Sequence, residues 1–304
     1  MRTRSVVAAV LVGAALALVP AVPVAALPAG SPASGGDGAR RVALGDSWAA
    51  GTAAGGVEAA SGTCRRSVLA YPAVIARAGG ETFWTSRACA SSTGGGNDQF
   101  TSLTPATEVV SATVGADATG LGALAAACSA AGTAARCDAA AARFDQALAS
   151  LPGALDTALA DMRRRAPRAA VSITGYPLLA EGRACPAGPA DISRATRLDD
   201  AVTRLDGVLA ERAVAAGMRF VDVRDTFRGH GVCAPEPWLT PLTGADTLLA
   251  GAPTASGHAL GMVAALAAPA AAAPPPATTP PSATAAPPVD GRGAEAGGLP
   301  LFTG

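Results

Sequence analysis

Ser47, in Gly45-Asp46-Ser47-Trp48, is the side chain whose setting best suits a nucleophile. A serine alcohol attacks a carbonyl only when a base removes its proton and nearby donors receive the oxyanion. The 304-residue chain has two histidines, His230 and His258, so a histidine base has two candidates. That scarcity also argues against a multi-histidine metal centre, and none of the six cysteines has CxxC spacing. No metal and no cofactor is expected. Gly-Asp-Ser is equally good turn chemistry on its own, so its surroundings must decide.

The elements around Ser47 suit a nucleophile. Arg41-Val42-Ala43-Leu44 is a short apolar run stopped by Gly45-Asp46-Ser47, the pattern of a buried strand ending in a turn. Further apolar, β-branched runs lie at Val109–Val114, Ala170–Thr174 and Arg219–Val223. Helical periodicity runs from Phe144 to Arg165, with Leu148, Leu151, Leu155, Leu159 and Met162 on one stripe. Arg163, Arg164 and Arg165 suit the carbonyl end of that helix, and Pro167 stops it. A second helix is expected from about Arg194 to Ala216, with Leu198, Val202, Leu205 and Leu209 on one face. Alternating strands and helices imply an α/β fold with a parallel sheet covered on both faces. Active groups then belong at the carboxyl ends of strands, where Ser47 lies.

Both ends of the chain read differently. Arg2 and Arg4 precede an apolar run from Val6 to Val19, and Val24-Ala25-Ala26 offers small residues for signal-peptidase cleavage. Residues 1–26 are therefore read as an export signal rather than a transmembrane anchor, because the run is short and broken by Pro20 and Pro23. Residues 269–304 are a Pro-, Ala- and Thr-rich tail suited to an extended linker, leaving 40–268 as one domain. The terminal Leu299-Pro300-Leu301-Phe302-Thr303-Gly304 approximates a sortase signal with one residue too many, and is read as coincidence. Lys+Arg 23 balances Asp+Glu 23, so no basic excess exists for a nucleic-acid partner. Hydrophobic residues make up 50% and charged residues 15%, enough apolar material for a core. The expectation is a secreted, extracellular monomer with no transmembrane anchor. Six cysteines, Cys64, Cys89, Cys128, Cys137, Cys185 and Cys233, agree with an oxidising compartment, although six allow 15 pairings.

Several short blocks then read together. Val42-Ala43-Leu44-Gly45-Asp46-Ser47-Trp48-Ala49-Ala50-Gly51 closely resembles the first block of secreted actinomycete SGNH (GDSL) hydrolases. Cys64-Arg65-Arg66-Ser67 with Tyr71-Pro72, and Ala88-Cys89-Ala90-Ser91-Ser92-Thr93, resemble the segments that follow. Gly175-Tyr176-Pro177, Phe227-Arg228-Gly229-His230-Gly231-Val232-Cys233 and Pro237-Trp238 match later landmarks. The resemblance spans roughly Val42 to Leu266. It implies a three-layer α/β/α flavodoxin-like fold and disulfides Cys64–Cys89, Cys128–Cys137 and Cys185–Cys233. It also implies a serine carboxylic-ester hydrolase acting on a small ester, a lipid or an acylated glycan.

The family's catalytic set carries over only in part. Ser47 matches the nucleophile, whose own amide belongs to the oxyanion hole. Ser91 stands where a donor glycine is expected, and its backbone N–H can still donate. Asp117, after the strand Glu108–Val114, replaces the donor asparagine, and an ionised carboxylate there would repel an oxyanion. Gly95-Gly96-Asn97-Asp98 spells the asparagine block literally but follows no strand, so Asn97 is set aside as a donor. Ala252 falls at the catalytic histidine, and Leu249 stands where many members keep an orienting Asp. His258 matches a later histidine, read first as structural and otherwise as a displaced base. His230, between two glycines, is read as loop packing. The expectation is an ester-hydrolase-type protein that is weakened or inactive. The alternatives are an active hydrolase with a relocated base and a non-catalytic acyl- or glycan-binding protein.

Overall fold

The computed structural model describes residues 40–81, 83–90 and 99–269. The export-signal region, Ser91, Asn97 and the tail beyond 269 lie outside the described residues.

Five strands form one parallel sheet: β1 (Arg41–Gly45), β2 (Trp84–Ser86), β3 (Val109–Thr113), β4 (Ala170–Thr174) and β5 (Arg219–Val221). Their order across the sheet is β2-β1-β3-β4-β5. The inner three strands are aligned, with Gly45 opposite Thr113 and Thr113 opposite Thr174. Their carboxyl ends therefore form one edge, and Ser47 follows directly on β1. Strand β2 has no alternating apolar signal, since its side chains are all half-buried. Main-chain pairing to β1 defines it, which explains why the sequence pattern does not mark it.

Helices cover both faces. Helix α5 (Ala134–Arg165) begins ten residues before the periodic stripe suggests, because alanines there supply helix propensity without an apolar stripe. Thr133 caps it by accepting from the Arg136 N–H. The stripe itself is the core face: Leu148, Leu151, Leu155, Leu159 and Met162 are all buried. Five such side chains contribute on the order of 10 kcal/mol of apolar burial, before the entropy of ordering the helix. Helix α6 (Ile192–Ala215) packs beside α5, capped by Asp191 and burying Leu198, Val202, Leu205 and Leu209. The short α3 (Ala116–Thr119) and α4 (Leu121–Cys128) lie against this pair. Elsewhere α2 (Tyr71–Ala78) packs on β2, on a π-helical turn at Gly257–Met262 and on α7 (Val263–Ala267). The result is a three-layer α/β/α sandwich.

Three disulfides fasten its loops: Cys64–Cys89, Cys128–Cys137 and Cys185–Cys233. The first ties the segment after α1 (Ser47–Ala50) to the segment after β2, both beside the carboxyl end of β1. Among the described residues no helix is long and apolar enough to cross a membrane.

Candidate active site

Gly45 sets the geometry from which Ser47 projects. Its φ of +131° belongs to the region that glycine tolerates, and a Cβ there would lie 2.1 Å from the Thr113 carbonyl oxygen. Gln99 then clamps it from the side. The Gln99 Oε1 accepts from the Gly45 N–H at 2.8 Å, and its Nε2 donates to the Gly45 carbonyl at 3.0 Å. The Cys89 N–H donates to that same carbonyl at 2.9 Å, and the Asp46 N–H to Thr113.

Asp46 caps α1 and joins two loops. Its Oδ1 accepts from the Trp48 N–H at 3.1 Å. Its Oδ2 accepts from the Tyr176 hydroxyl at 2.7 Å and from the Ala116 N–H at 3.1 Å. Burial lifts the Asp46 pKa to about 6, against the lowering effect of these donors. The Tyr176 phenol is pushed well above its ordinary range by burial and by Asp46, so it stays a donor.

Ser47 is 1% exposed and meets Asp117 twice. Its hydroxyl donates to Asp117 Oδ1 at 2.6 Å, and its backbone N–H donates to Oδ2 at 2.9 Å. One carboxyl group thus takes both groups that a serine hydrolase offers its substrate. Burial, and then the Asp46 carboxylate, push Asp117 up to about 8, against the Ser47 hydrogen bonds. A second negative charge beside Asp46 with little water is costly, and this raises the proton affinity of Asp117.

The histidines stand elsewhere. His258 is fully buried in the π-helical turn, where its Nδ1 accepts from the Tyr71 N–H at 3.2 Å. Its ring stacks on Tyr71 at 6.0 Å, and burial drops its pKa to about 3. It is neutral and holds the start of α2. His230 stacks on Trp238 with ring centroids 3.6 Å apart, and its Nδ1 lies 2.8 Å from the Glu236 carbonyl oxygen. Among the described residues no imidazole hydrogen-bonds Ser47. Ala252 is 1% exposed in a turn whose carbonyl accepts from the Thr240 N–H at 2.9 Å. Its methyl group can accept no proton. Arg65 pairs with Asp246 at 2.6 Å, tying the loop after Cys64 to the approach to that turn.

Arrangement and sequence agree with a known group of proteins. The model of the GDSL-like lipase/acylhydrolase family matches residues 43–260. The chain belongs to that family. A lipase of Streptomyces rimosus is 33% identical over 205 residues, 66% of this chain and 76% of the relative. Lipase 1 of Streptomyces coelicolor is 33% identical over 228 residues, 74% and 84% of the two chains. The crystal structure of the extracellular S. rimosus lipase superposes with a TM-score of 0.68 at 30% identity, covering 74% of this chain and 97% of that one. Phospholipase A1 from Streptomyces albidoflavus gives 0.67 at 32% identity with the same coverage.

Within the GDSL frame, sequence reading did not single out Gln99, Asp46 or Tyr176 as residues that build the site. Tyr176 was visible only as a landmark in Gly175-Tyr176-Pro177, and Asp46 as turn chemistry. Gln99 had no signal, because a glutamine that clamps main chain carries no periodicity.

Proposed function

We propose that this is an exported GDSL-family protein of the ester-hydrolase type whose hydrolytic activity is strongly weakened. Its substrate or ligand class is a small ester, a lipid or an acylated glycan. The observation that carries the reading is the double hydrogen bond from Ser47 to Asp117, with no imidazole on the nucleophile. Removing the histidine of a serine triad costs on the order of 10⁶ in turnover, and losing one oxyanion donor about 10²–10³. Here both positions differ, as Ala252 and Asp117. Export is supported by the basic-then-apolar amino terminus, the three disulfides and the extracellular S. rimosus relative. A domain of residues 40–268 between signal and tail, acting as a monomer, completes the reading.

The test is p-nitrophenyl butyrate turnover of purified protein beside the S. rimosus lipase, with Ser47→Ala as the blank. Turnover thousands of times slower than the relative's, raised by Ala252→His, is expected. Wild-type turnover matching the relative's, and slowed by His258→Ala, would overturn the reading.

A further inference from the structure

We infer that Asp117 is the base that takes the Ser47 hydroxyl proton, so the contact missing at Ala252 has been replaced from the β3 side of the site. The inference rests on the reading of Ser47 as an ester-reactive serine, and names the group that drives its residual chemistry.

Three observations support it. The Oγ–Oδ1 separation of 2.6 Å is the nucleophile–base contact that general-base catalysis requires. The carboxyl is oriented, because the Ser47 N–H holds Oδ2 at 2.9 Å and leaves Oδ1 facing the hydroxyl. The competing bases are committed elsewhere, His258 to the Tyr71 N–H and His230 to Trp238 and Glu236.

The surroundings of Asp117 raise its proton affinity. Asp46 and the Tyr176 phenol face it from the ends of β1 and β4. Helices α5 and α6 bring Leu151, Leu205 and Leu209 to Gly115, two residues before it, and α4 contains no titratable side chain. Asp46 is the charged side chain that bears on it. The carboxylate becomes a stronger base than an ordinary aspartate, available above its raised pKa of about 8.

The step balances. Ser47 Oγ attacks the ester carbonyl carbon while its proton moves to Asp117 Oδ1. The tetrahedral intermediate collapses, and the same proton passes to the departing alkoxide. Water then attacks the Ser47 acyl ester, gives a proton to Asp117, and the acid leaves as that proton returns to Oγ. Because Oδ2 also covers the Ser47 N–H, that bond must loosen before the amide can receive the oxyanion. The reaction is accordingly slow.

The experiment follows labelling by a fluorophosphonate probe between pH 5.5 and 9.5, with Ser47→Ala subtracted. There Oγ displaces fluoride from phosphorus and the proton goes to Asp117. The expected wild-type rate rises about tenfold per pH unit and levels near pH 8. Asp117→Asn slows it at least ~100-fold at pH 8.5, while urea midpoints confirm folding. In an Ala252→His background the sign reverses, because the amide then serves as an oxyanion donor to an imidazole-driven reaction. Asp46→Asn moves the midpoint of the wild-type profile downward. Asp117→Asn labelling as fast as wild type, or a flat profile from pH 6 to 9, overturns the inference. A wild type unlabelled at every pH beside a labelled Ala252→His overturns the inference and leaves the weakened-hydrolase reading standing. Folded proteins that all stay unlabelled overturn both.

Discussion

Asp206 tests the electrostatics of this interior apart from the Ser47 site. It sits on α6, 2% exposed, with Oδ1 accepting from the Tyr176 N–H at 2.9 Å and Oδ2 without a hydrogen-bond partner. The nearest cation is Arg224, whose Nε lies 3.9 Å from Oδ2. Burial raises its pKa from 3.8 to about 8, with the Tyr176 N–H and Arg224 opposing. Between those two values the folded state holds a proton that the unfolded chain has released. Stability from this group is therefore complete below pH 3.8 and is lost as pH rises through about 8. The slope is about 1.4 kcal/mol per pH unit, so going from pH 5 to 7 costs ~3 kcal/mol at most. Asp206→Asn keeps the Oδ1 acceptor and removes the titration. Urea unfolding at pH 5 and 7, with disulfides intact, measures the difference. The wild type should lose up to ~3 kcal/mol more than the variant over that interval. Asp46 and Asp117 titrate in both proteins and cancel. Equal pH dependence in the two proteins, or a wild type that gains relative to the variant toward pH 7, would refute the reasoning.

Other consequences are measurable in the same assay. Gln99→Ala leaves the Gly45 N–H without the side-chain oxygen that accepts it and should cost ~2 kcal/mol in urea unfolding; a cost under about 0.5 kcal/mol would mean that the clamp is incidental. His258→Ala strands the buried Tyr71 N–H and should lower stability by ~2 kcal/mol while leaving fluorophosphonate labelling unchanged; slower labelling at equal folding would return His258 to the site. Replacing Cys185 and Cys233 together by Ala should destabilise by ~4 kcal/mol, against ~3 kcal/mol for Cys128 and Cys137, because the first pair closes a 48-residue separation and the second only 9. The reverse order in urea midpoints would show that native-state packing, not loop length, governs the pair.

What could be read in the sequence was whatever repeats along one element. Leu148, Leu151, Leu155, Leu159 and Met162 announce the buried face of α5, and the run before Gly45 announces β1. That run placed Ser47 at a strand end, where it lies, and the family blocks pointed to the GDSL family that the match shows. Illegible were contacts between elements far apart in the chain. Ser47 and Asp117 are 70 residues apart, and Asp46 and Tyr176 are 130 apart. The raised proton affinity of Asp117 is illegible for the same reason, since burial and Asp46 set it and neither is visible in residue type. Strand β2 and the alanine-rich start of α5 went unmarked because neither carries an alternating or helical stripe.

The same contacts explain how the turn before Ser47 keeps its shape with no imidazole on the serine. Gly45, Gln99, Thr113 and Asp46 hold the turn before Ser47 through main-chain hydrogen bonds, none of which involves Ala252 or a histidine. A buried serine still needs partners for its hydroxyl and its amide, since an unpaired buried donor costs about 1–3 kcal/mol. Asp117 supplies both from one planar group. An asparagine can do so too, accepting from the Ser47 N–H through its oxygen and donating to Oγ through its nitrogen. Asp117→Asn is therefore close to neutral for folding only below about pH 3.8, and becomes relatively stabilising as pH rises from there through about 8. Chemistry separates the two residues as well. A carboxylate can remove the Ser47 proton and an amide cannot, so under the inference drawn above Asp117→Asn takes away the base while leaving the Ser47 hydroxyl and amide paired.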